Sequence, residues 1–161
     1  MDLIIYSRFS DGARLPILGL PGFSGVEKIV PHIVIQLSGQ RDAALVRQSV
    51  QAVNEITHSV LGKAPPVMAT TVQFISADDW FIGGKPLSET GASAFYLQIN
   101  ITDETNTKQE KARYVREVFE AFAKLRPELH ETSYVHLIDA RAAAYGYGGR
   151  TQEWRHQQAG I

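Results

Sequence analysis

The sequence of 161 residues contains no cysteine, so disulfide bonds, thiolate nucleophiles and thiolate metal sites are excluded. This absence fits a cytoplasmic protein. The formal net charge is only −1, and without a basic run or stripe the chain is not expected to bind nucleic acid or an acidic membrane surface. No apolar run approaches the roughly 18 residues that span a bilayer. The histidines show no metal-ligand spacing, so no metal site is predicted.

Residues 1–30 differ from the rest of the chain, because glycine and proline interrupt them too often for a long helix or strand. They also lack the basic start and the long apolar segment of a signal peptide. We expect them to form a loosely held extension. The length of the whole chain suits one compact domain or two small similar halves that share a core.

A regular pattern begins at Pro31. The apolar residues of 33–37 run almost without a break, which predicts a strand buried on both faces. Asp42 is suited to cap the helix that follows, and Gly62 provides the usual glycine at its end. The first unit is therefore expected to contain, in order, a strand over 33–37, a helix over 42–61 and a strand over 67–75.

The same plan then repeats with little residue identity. A Gly-Gly turn ends each unit, Gly83-Gly84 in the first and Gly148-Gly149 in the second. The second unit is expected to contain a strand over 94–101, a helix over about 108–125 and a strand over 132–138. Its helix has an apolar side formed by Val115, Val118 or Phe119, Phe122 and Leu125.

Each unit predicts two parallel strands joined by a right-handed crossover helix. The two units, about 31–88 and 94–155, together predict an α+β fold with a four-stranded mixed sheet and both helices on one face. The other face of the sheet is then expected to be bare, although the strands over 33–37 and 95–101 carry apolar residues at successive positions. Because exposed apolar faces of that size find partners, we predict that the sheets of several subunits pack together.

These features resemble the tautomerase superfamily, the family of 4-oxalocrotonate tautomerase and macrophage migration inhibitory factor. The matching features are a proline that opens the first strand, the Ser38-Gly39-Gln40-Arg41 turn before the helix, and Ile82-Gly83-Gly84 at the end of the first unit. Gly146-Tyr147-Gly148-Gly149-Arg150 ends the second unit in a similar way. The resemblance covers about residues 31–155 and depends on the order and spacing of these motifs.

The resemblance implies trimers of fused two-unit chains and cofactor-free keto–enol tautomerisation of a 2-oxo acid or unsaturated carboxylate. It implies Pro31 as the catalytic base, Arg41 as the ligand of a substrate carboxylate, and Trp80 as an aromatic residue of the pocket. The second arginine that some members use falls near Ala69 and is absent. Arg113, Arg141 and Arg150 are candidates for the missing cation, from the same or a neighbouring subunit, and Arg150, directly after the second Gly-Gly turn, is the preferred one. The alternative for all three is an ordinary surface charge.

The mechanism depends on whether the nitrogen of Pro31 is a free amine. A free α-amine has a pKa near 7.7–8.0 in model peptides, and burial or a nearby cation lowers it, so it can act as a base near neutral pH. In an amide the lone pair is delocalised and the nitrogen is no base. Valine codons include GUG, a common alternative bacterial start, so translation from Val30 would place a removable methionine before Pro31. On this hypothesis residues 1–30 are a start-site artefact.

Two other functions stay open. The same proline with a higher pKa acts as an acid, which suits a hydratase or a dehalogenase of the same superfamily. Alternatively, Pro31 only opens a strand, where its missing N–H costs nothing. The protein is then a non-catalytic oligomeric or ligand-binding member with the same fold.

Overall fold

The computed structural model describes residues 31–159. The predicted extension of residues 1–30 lies outside this part. In chain order the elements are β1 (His32–Ser38), α1 (Ala43–Leu61), β2 (Ala69–Ile75), β3 (Phe81–Ile82), β4 (Lys85–Pro86), α2 (Leu87–Thr90), β5 (Phe95–Thr102), α3 (Lys108–Leu125), β6 (Tyr134–Ala140), β7 (Gly146–Tyr147), β8 (Arg150–Thr151) and α4 (Gln152–Ala159).

The four long strands form one sheet in the order β2-β1-β5-β6. β1 pairs with β2, and β5 with β6, in parallel, and a long helix connects each pair. The two halves meet along β1 and β5, which are antiparallel, with His32 opposite Asn100 and Leu37 opposite Phe95. The predicted α+β fold with a four-stranded mixed sheet is confirmed. Because β1 and β5 run in opposite directions, the start of β1 lies beside the end of β5.

Both long helices begin and end where their local sequence predicts. The Asp42 carboxylate accepts hydrogen bonds from two backbone N–H groups of the first turn of α1, at 2.8 and 3.1 Å. Gly62 ends this helix with a left-handed φ of 68°, a conformation that glycine adopts without a steric penalty. At the start of α3, Thr107 and Glu110 form a capping box in which each side chain bonds the backbone N–H of the other residue. The predicted positions of both helices are confirmed.

Both helices cover the same face of the sheet. Alternate residues of β1 and β5 pack there against α1 and α3, and the ring of Phe95 stacks on that of Phe122 with centroids 4.1 Å apart. Full burial of each large side chain contributes about 1.5–3 kcal/mol. The buried core consists of Ile33, Ile35, Leu37, Val53, Val60, Leu61, Phe95, Leu97, Ile99, Ile101, Tyr114, Val118 and Phe122.

The prediction that the first strand is buried on both faces is wrong. In β1 the odd-numbered residues from Ile33 to Leu37 are buried against the helices, whereas Gln36 on the other face is only half-buried. β5 alternates in the same way and directs Gln98 and Asn100 to the open face. The open face therefore carries polar and apolar side chains together. Because polar side chains interrupt it, this face alone does not support the predicted packing of sheets from several subunits.

Two local predictions also differ from the structure. α3 buries Tyr114 and Val118, and Val115 is 39% exposed, because the buried stripe begins one residue earlier than the apolar pattern indicates. β2 begins at Ala69 rather than at residue 67, since Pro65–Val67 forms a 3-10 turn.

A buried hydrogen bond joins the two long helices. Thr57 Oγ1 and the Tyr114 hydroxyl oxygen lie 2.9 Å apart, and burial raises the pKa of Tyr114 to about 12. We expect Thr57→Val to lower the free energy of unfolding by about 1–3 kcal/mol, because it leaves a buried hydroxyl without its partner. Urea unfolding measures this loss. Adding Tyr114→Phe should restore part of it, and strictly additive losses in the double variant would contradict the prediction.

The two hairpins and the helices after them repeat one another position for position. The Leu87 N–H donates to the Trp80 carbonyl at 2.9 Å, and the Gln152 N–H donates to the Tyr145 carbonyl at 3.0 Å. In each hairpin the Gly-Gly pair forms the turn with positive φ at both residues. The predicted correspondence of the two Gly-Gly turns is confirmed.

Candidate active site

Pro31 directly precedes β1 and is buried. Its carbonyl accepts a hydrogen bond from the Ala69 N–H at 3.3 Å, which ties it to the start of β2. The register of β1 against β5 places it beside Ile101, and strand alternation puts it on the helix-covered side, away from the exposed His32. We call this region the Pro31 end of the sheet. It comprises Pro31, the starts of β1 and β2, and the last residues of β5 and β6.

Arg41 lies at the opposite end of the sheet. β1 spans seven residues, so at about 3.3 Å per residue it holds its two ends roughly 23 Å apart. Arg41 is exposed and stands just before Asp42, the N-cap of α1. One chain cannot bring Arg41 to a substrate at its own Pro31, so the predicted pairing requires an arginine from another chain. The Arg41 end comprises residues 38–41 and the starts of β5 and β6.

Trp80 also lies at the Arg41 end, because the first hairpin follows β2, which ends there. Its side chain is half-buried. Two large apolar side chains nearby are much more exposed: Phe81 at 59%, and Tyr134, at the start of β6, at 63%. Trp80 is therefore grouped with Arg41 and separated from the Pro31 of the same chain.

Arg150 lies at the Pro31 end, in the hairpin that follows β6. The loop before this hairpin is tied to β5 by a 2.5 Å hydrogen bond between the hydroxyls of Tyr145 and Thr102. The Arg150 guanidinium carbon lies 4.2 Å from the centroid of the Trp154 ring, and this cation–π contact orients the exposed side chain. Arg150 contributes to a cavity of about 300 Å³, lined also by Ala143, Ala144, Tyr145, Gly146, Gly149 and Thr151.

Lys63 is a cation at the Pro31 end that sequence reasoning missed. It is only 4% exposed, and its Nζ donates to Thr105 Oγ1 at 3.1 Å, in the loop after β5. Its charge contributes to the lowered pKa of Glu110, whose main cause is the hydrogen bond from the Thr107 backbone N–H. A lysine after a helix-ending glycine is normally solvent-exposed. One signal in the sequence could have found it: Lys63 lies on the segment between α1 and β2, which must return to the end of the sheet where β1 begins.

The two units place different residues at matching positions. Ala94 precedes β5 as Pro31 precedes β1, and Asn106 precedes the N-cap of α3 as Arg41 precedes that of α1. Asn106 Nδ2 donates to the Leu61 carbonyl at 3.2 Å, which places it at the Pro31 end. Each end of the sheet therefore contains one member of the predicted proline–arginine pair. The Pro31 end has Asn106 in place of the arginine, and the Arg41 end has Ala94 in place of the proline.

The described residues contain no group of three or more histidine, aspartate or glutamate side chains that could hold a metal ion. Within residues 31–159 no helix is long and apolar enough to cross a membrane.

No protein-family model matches the sequence, and no curated protein matches it. Solved structures match the fold. A wild-type fused 4-OT, described as a symmetric trimer, gives a TM-score of 0.66 at 14% identity, over 76% of this chain and 97% of that chain. Pt0534 inactivated by 2-oxo-3-pentynoate gives 0.66 at 11% identity, over 76% and 97%. A macrophage migration inhibitory factor-like protein from Entamoeba histolytica gives 0.62 at 17% identity, over 75% and 97%.

The chain therefore has the tautomerase fold. More particularly, it has the two-unit arrangement seen in the fused 4-OT structures, with both units in one polypeptide. The resemblance inferred from the sequence is confirmed at the level of the fold. At 11–17% identity the likeness concerns architecture, and an assignment of chemistry depends on the residues of this chain.

Proposed function

We propose that the protein is a cofactor-independent keto–enol tautomerase of a 2-oxo acid or unsaturated carboxylate, with Pro31 as base when its nitrogen is a free amine. The observation that supports this most is the position of Pro31. It opens the first strand of a tautomerase fold, at the end of the sheet where Lys63 supplies a positive charge. A positive charge close to a free amine lowers its pKa, and a base with a pKa near neutrality suits this reaction.

In the proposed reaction the amine removes a proton from the carbon beside the ketone. The electron pair of that C–H bond forms a carbon–carbon double bond, and the π pair of the carbonyl moves to its oxygen, which gives an enolate that backbone N–H groups or a cation stabilise. Transfer of the proton to this oxygen, or to the far carbon of a conjugated substrate, completes an isomerisation without oxidation. With an enol such as phenylenolpyruvate the steps run in reverse: the free amine accepts the proton of the enol hydroxyl and then delivers it to the carbon, as the carbonyl forms. We assign the substrate carboxylate to Arg41 of a neighbouring chain, with Lys63 and Arg150 of the same chain as Pro31 beside it.

We further propose that translation begins at Val30, so that the mature protein starts at Pro31. The catalytic domain then comprises residues 31–161, in units of about 31–88 and 94–155. This start removes the amide bond that would take up the lone pair of the Pro31 nitrogen. The mechanism requires this free amine, and the codon possibilities of Val30 support it.

The test compares a chain encoded as Met-Pro31 with the full-length chain, using phenylenolpyruvate as substrate. Turnover by the short form alone supports the proposal. If the short form is inert and Pro31→Ala changes nothing, the enzyme role fails and the non-catalytic ligand-binding role replaces it. Mass spectrometry of the native protein tests the start site, and an intact Met1 on the dominant species would reject initiation at Val30.

We also propose that the protein is a homotrimer in which neighbouring chains complete each site. Pro31 and Arg41 lie at opposite ends of one chain, so a head-to-tail contact brings Arg41 of one chain to the Pro31 end of the next, with Trp80 beside it. Such a heterologous contact forms a ring when its rotation closes, and a trimer is the ring that we propose. Phe81 and Tyr134, exposed at the Arg41 end, give the contact an apolar surface. The cytoplasmic location stays a prediction.

Mixed oligomers test this contact. Short-form chains blocked by one alanine before Pro31 are co-expressed with Arg41→Met chains. Because a complete site needs the amine of one chain and the guanidinium of its neighbour, random mixing in a ring should restore about one quarter of the wild-type sites. Arg47→Met, an exposed position on α1, is the control that should retain full activity on its own. Verified mixed oligomers without recovered turnover would contradict the shared site.

A further inference from the structure

Arg126 is a half-buried cation at the Arg41 end of the sheet. It follows the last residue of α3, and burial lowers its pKa. Its Nη2 donates to the Ser38 carbonyl at 2.7 Å and lies 3.3 Å from Ser38 Oγ, and its Nη1 donates to the Ala94 carbonyl at 3.3 Å. Two nitrogens of the planar guanidinium thus bind the end of β1 and the residue before β5 at the same time. The compact ammonium group of a lysine lacks this fork geometry.

Ser38 is the last residue before the turn that carries Arg41. Its N–H donates to the Ala94 carbonyl at 3.0 Å, and its hydroxyl accepts from the Ala94 N–H at 2.9 Å. Gly39 follows with a φ of +100°, and its N–H donates to the Ile75 carbonyl at 2.7 Å. The segment is therefore held on its N-terminal side by Arg126 and on its C-terminal side by the Asp42 cap.

We propose that Arg126 is a positioning residue for Arg41, because it holds the turn of residues 38–42 in one conformation. The inference rests on the proposed function, in which Arg41 binds the carboxylate of a substrate at the neighbouring Pro31. An exposed arginine on a three-residue connection has many side-chain and backbone conformations. Ordering the backbone beneath it in advance lowers the entropy that carboxylate binding must otherwise overcome.

The comparison of the two ends of the sheet supports this role. At the Pro31 end, Lys63 also follows a long helix, and its Nζ donates to the side chain of Thr105 at 3.1 Å. At the Arg41 end, the residue that matches Pro31 is Ala94, and Arg126 binds its carbonyl. Ala94, the counterpart of Pro31 in the second unit, thus helps Arg126 to anchor the turn of residues 38–42.

The experiment uses the short form and the variants Arg126→Met and Arg126→Lys. Arg116→Met is the matched control, since Arg116 lies on the same helix with its side chain 64% exposed and 4.0 Å from Glu120. Hydrogen exchange of the amides of 39–42 and steady-state kinetics with phenylenolpyruvate are measured together. Arg126→Met should speed exchange of these amides about 10-fold and raise KM about 10-fold with kcat nearly unchanged.

Arg126→Lys keeps the positive charge but lacks the paired N–H donors of the guanidinium, so we expect exchange rates and KM values between those of the wild type and Arg126→Met. If Arg126→Met does not fold, Arg126→Lys takes its place in the test. Arg116→Met should change neither quantity. Unchanged exchange in both Arg126 variants overturns the positioning role while the proposed function stands. A normal KM with faster exchange overturns it as well. If Arg41→Met itself leaves KM unchanged, or no form shows turnover, this role falls together with the part of the proposed function on which it rests.

Discussion

One alanine placed before Pro31 in the short form is expected to lower kcat/KM for phenylenolpyruvate by about 10²–10⁴-fold, the usual contribution of a positioned general base. The insertion converts the proline nitrogen into an amide, whose lone pair is delocalised, and leaves the proline ring in place at the start of β1. Steady-state kinetics of the extended and unextended proteins measure the loss. Circular dichroism and urea unfolding check that both are equally folded.

Pro31→Ala in the same short form is the matched comparison. It retains a primary α-amine at the terminus, so its loss of activity should be smaller than that of the one-residue extension. In the unextended protein the amine must be unprotonated, so activity should rise with pH through the pKa of Pro31. Equal activity of the extended and unextended proteins would show that Pro31 is not the base.

The second large effect is expected at Lys63. Lys63→Met in the short form should raise KM for phenylenolpyruvate about 10–100-fold, because it removes a charge-assisted contact to the substrate carboxylate. Methionine has a similar length, so the buried stem keeps much of its packing. Lys124→Met, an exposed position in the last turn of α3, is the control and should leave KM unchanged.

Loss of the cation should also shift the pH profile. Without the positive charge of Lys63, the pKa of the Pro31 amine should rise, and the ascending limb of the activity profile should move to higher pH. A KM shift without any movement of the pH profile would place Lys63 near the carboxylate but away from the amine. An unchanged KM would leave Arg150 as the carboxylate ligand of the Pro31 end.

The helices could be predicted from local chemistry alone. Asp42 and Gly62 are a capping carboxylate and a left-handed glycine at the two ends of α1, and neither depends on distant residues. The parallel pairing of the two strands within each unit followed from the strand–helix–strand pattern, because parallel strands need a crossover connection. These signals are local or periodic, so they can be recognised in one sequence without knowledge of the packing.

Side-chain placement could not be predicted in the same way. Val115 and Tyr114 are adjacent apolar residues, and only the packing of α3 on the sheet decides that Tyr114 is buried. Lys63 and Arg126 follow helices, where a cation is normally solvent-exposed, yet each donates to groups of the other unit. Pro31 and Arg41 are close in the sequence, but the extended strand β1 separates them, so a short spacing along the chain did not mean a short distance.

The alanine at the head of β5, where the first unit has Pro31, limits the chain to one proposed catalytic amine for its two units. Ala94 N–H is an ordinary backbone donor, bound to Ser38 Oγ at 2.9 Å, and can never be a terminal amine. A ring built from unfused identical units would have a reactive terminus for every strand–helix–strand unit, whereas this chain can offer one for every two. In the short form, labelling by a substrate-like electrophile, at a pH where the lysine amines are protonated, should therefore reach one equivalent per polypeptide, and peptide mapping should find the label on Pro31.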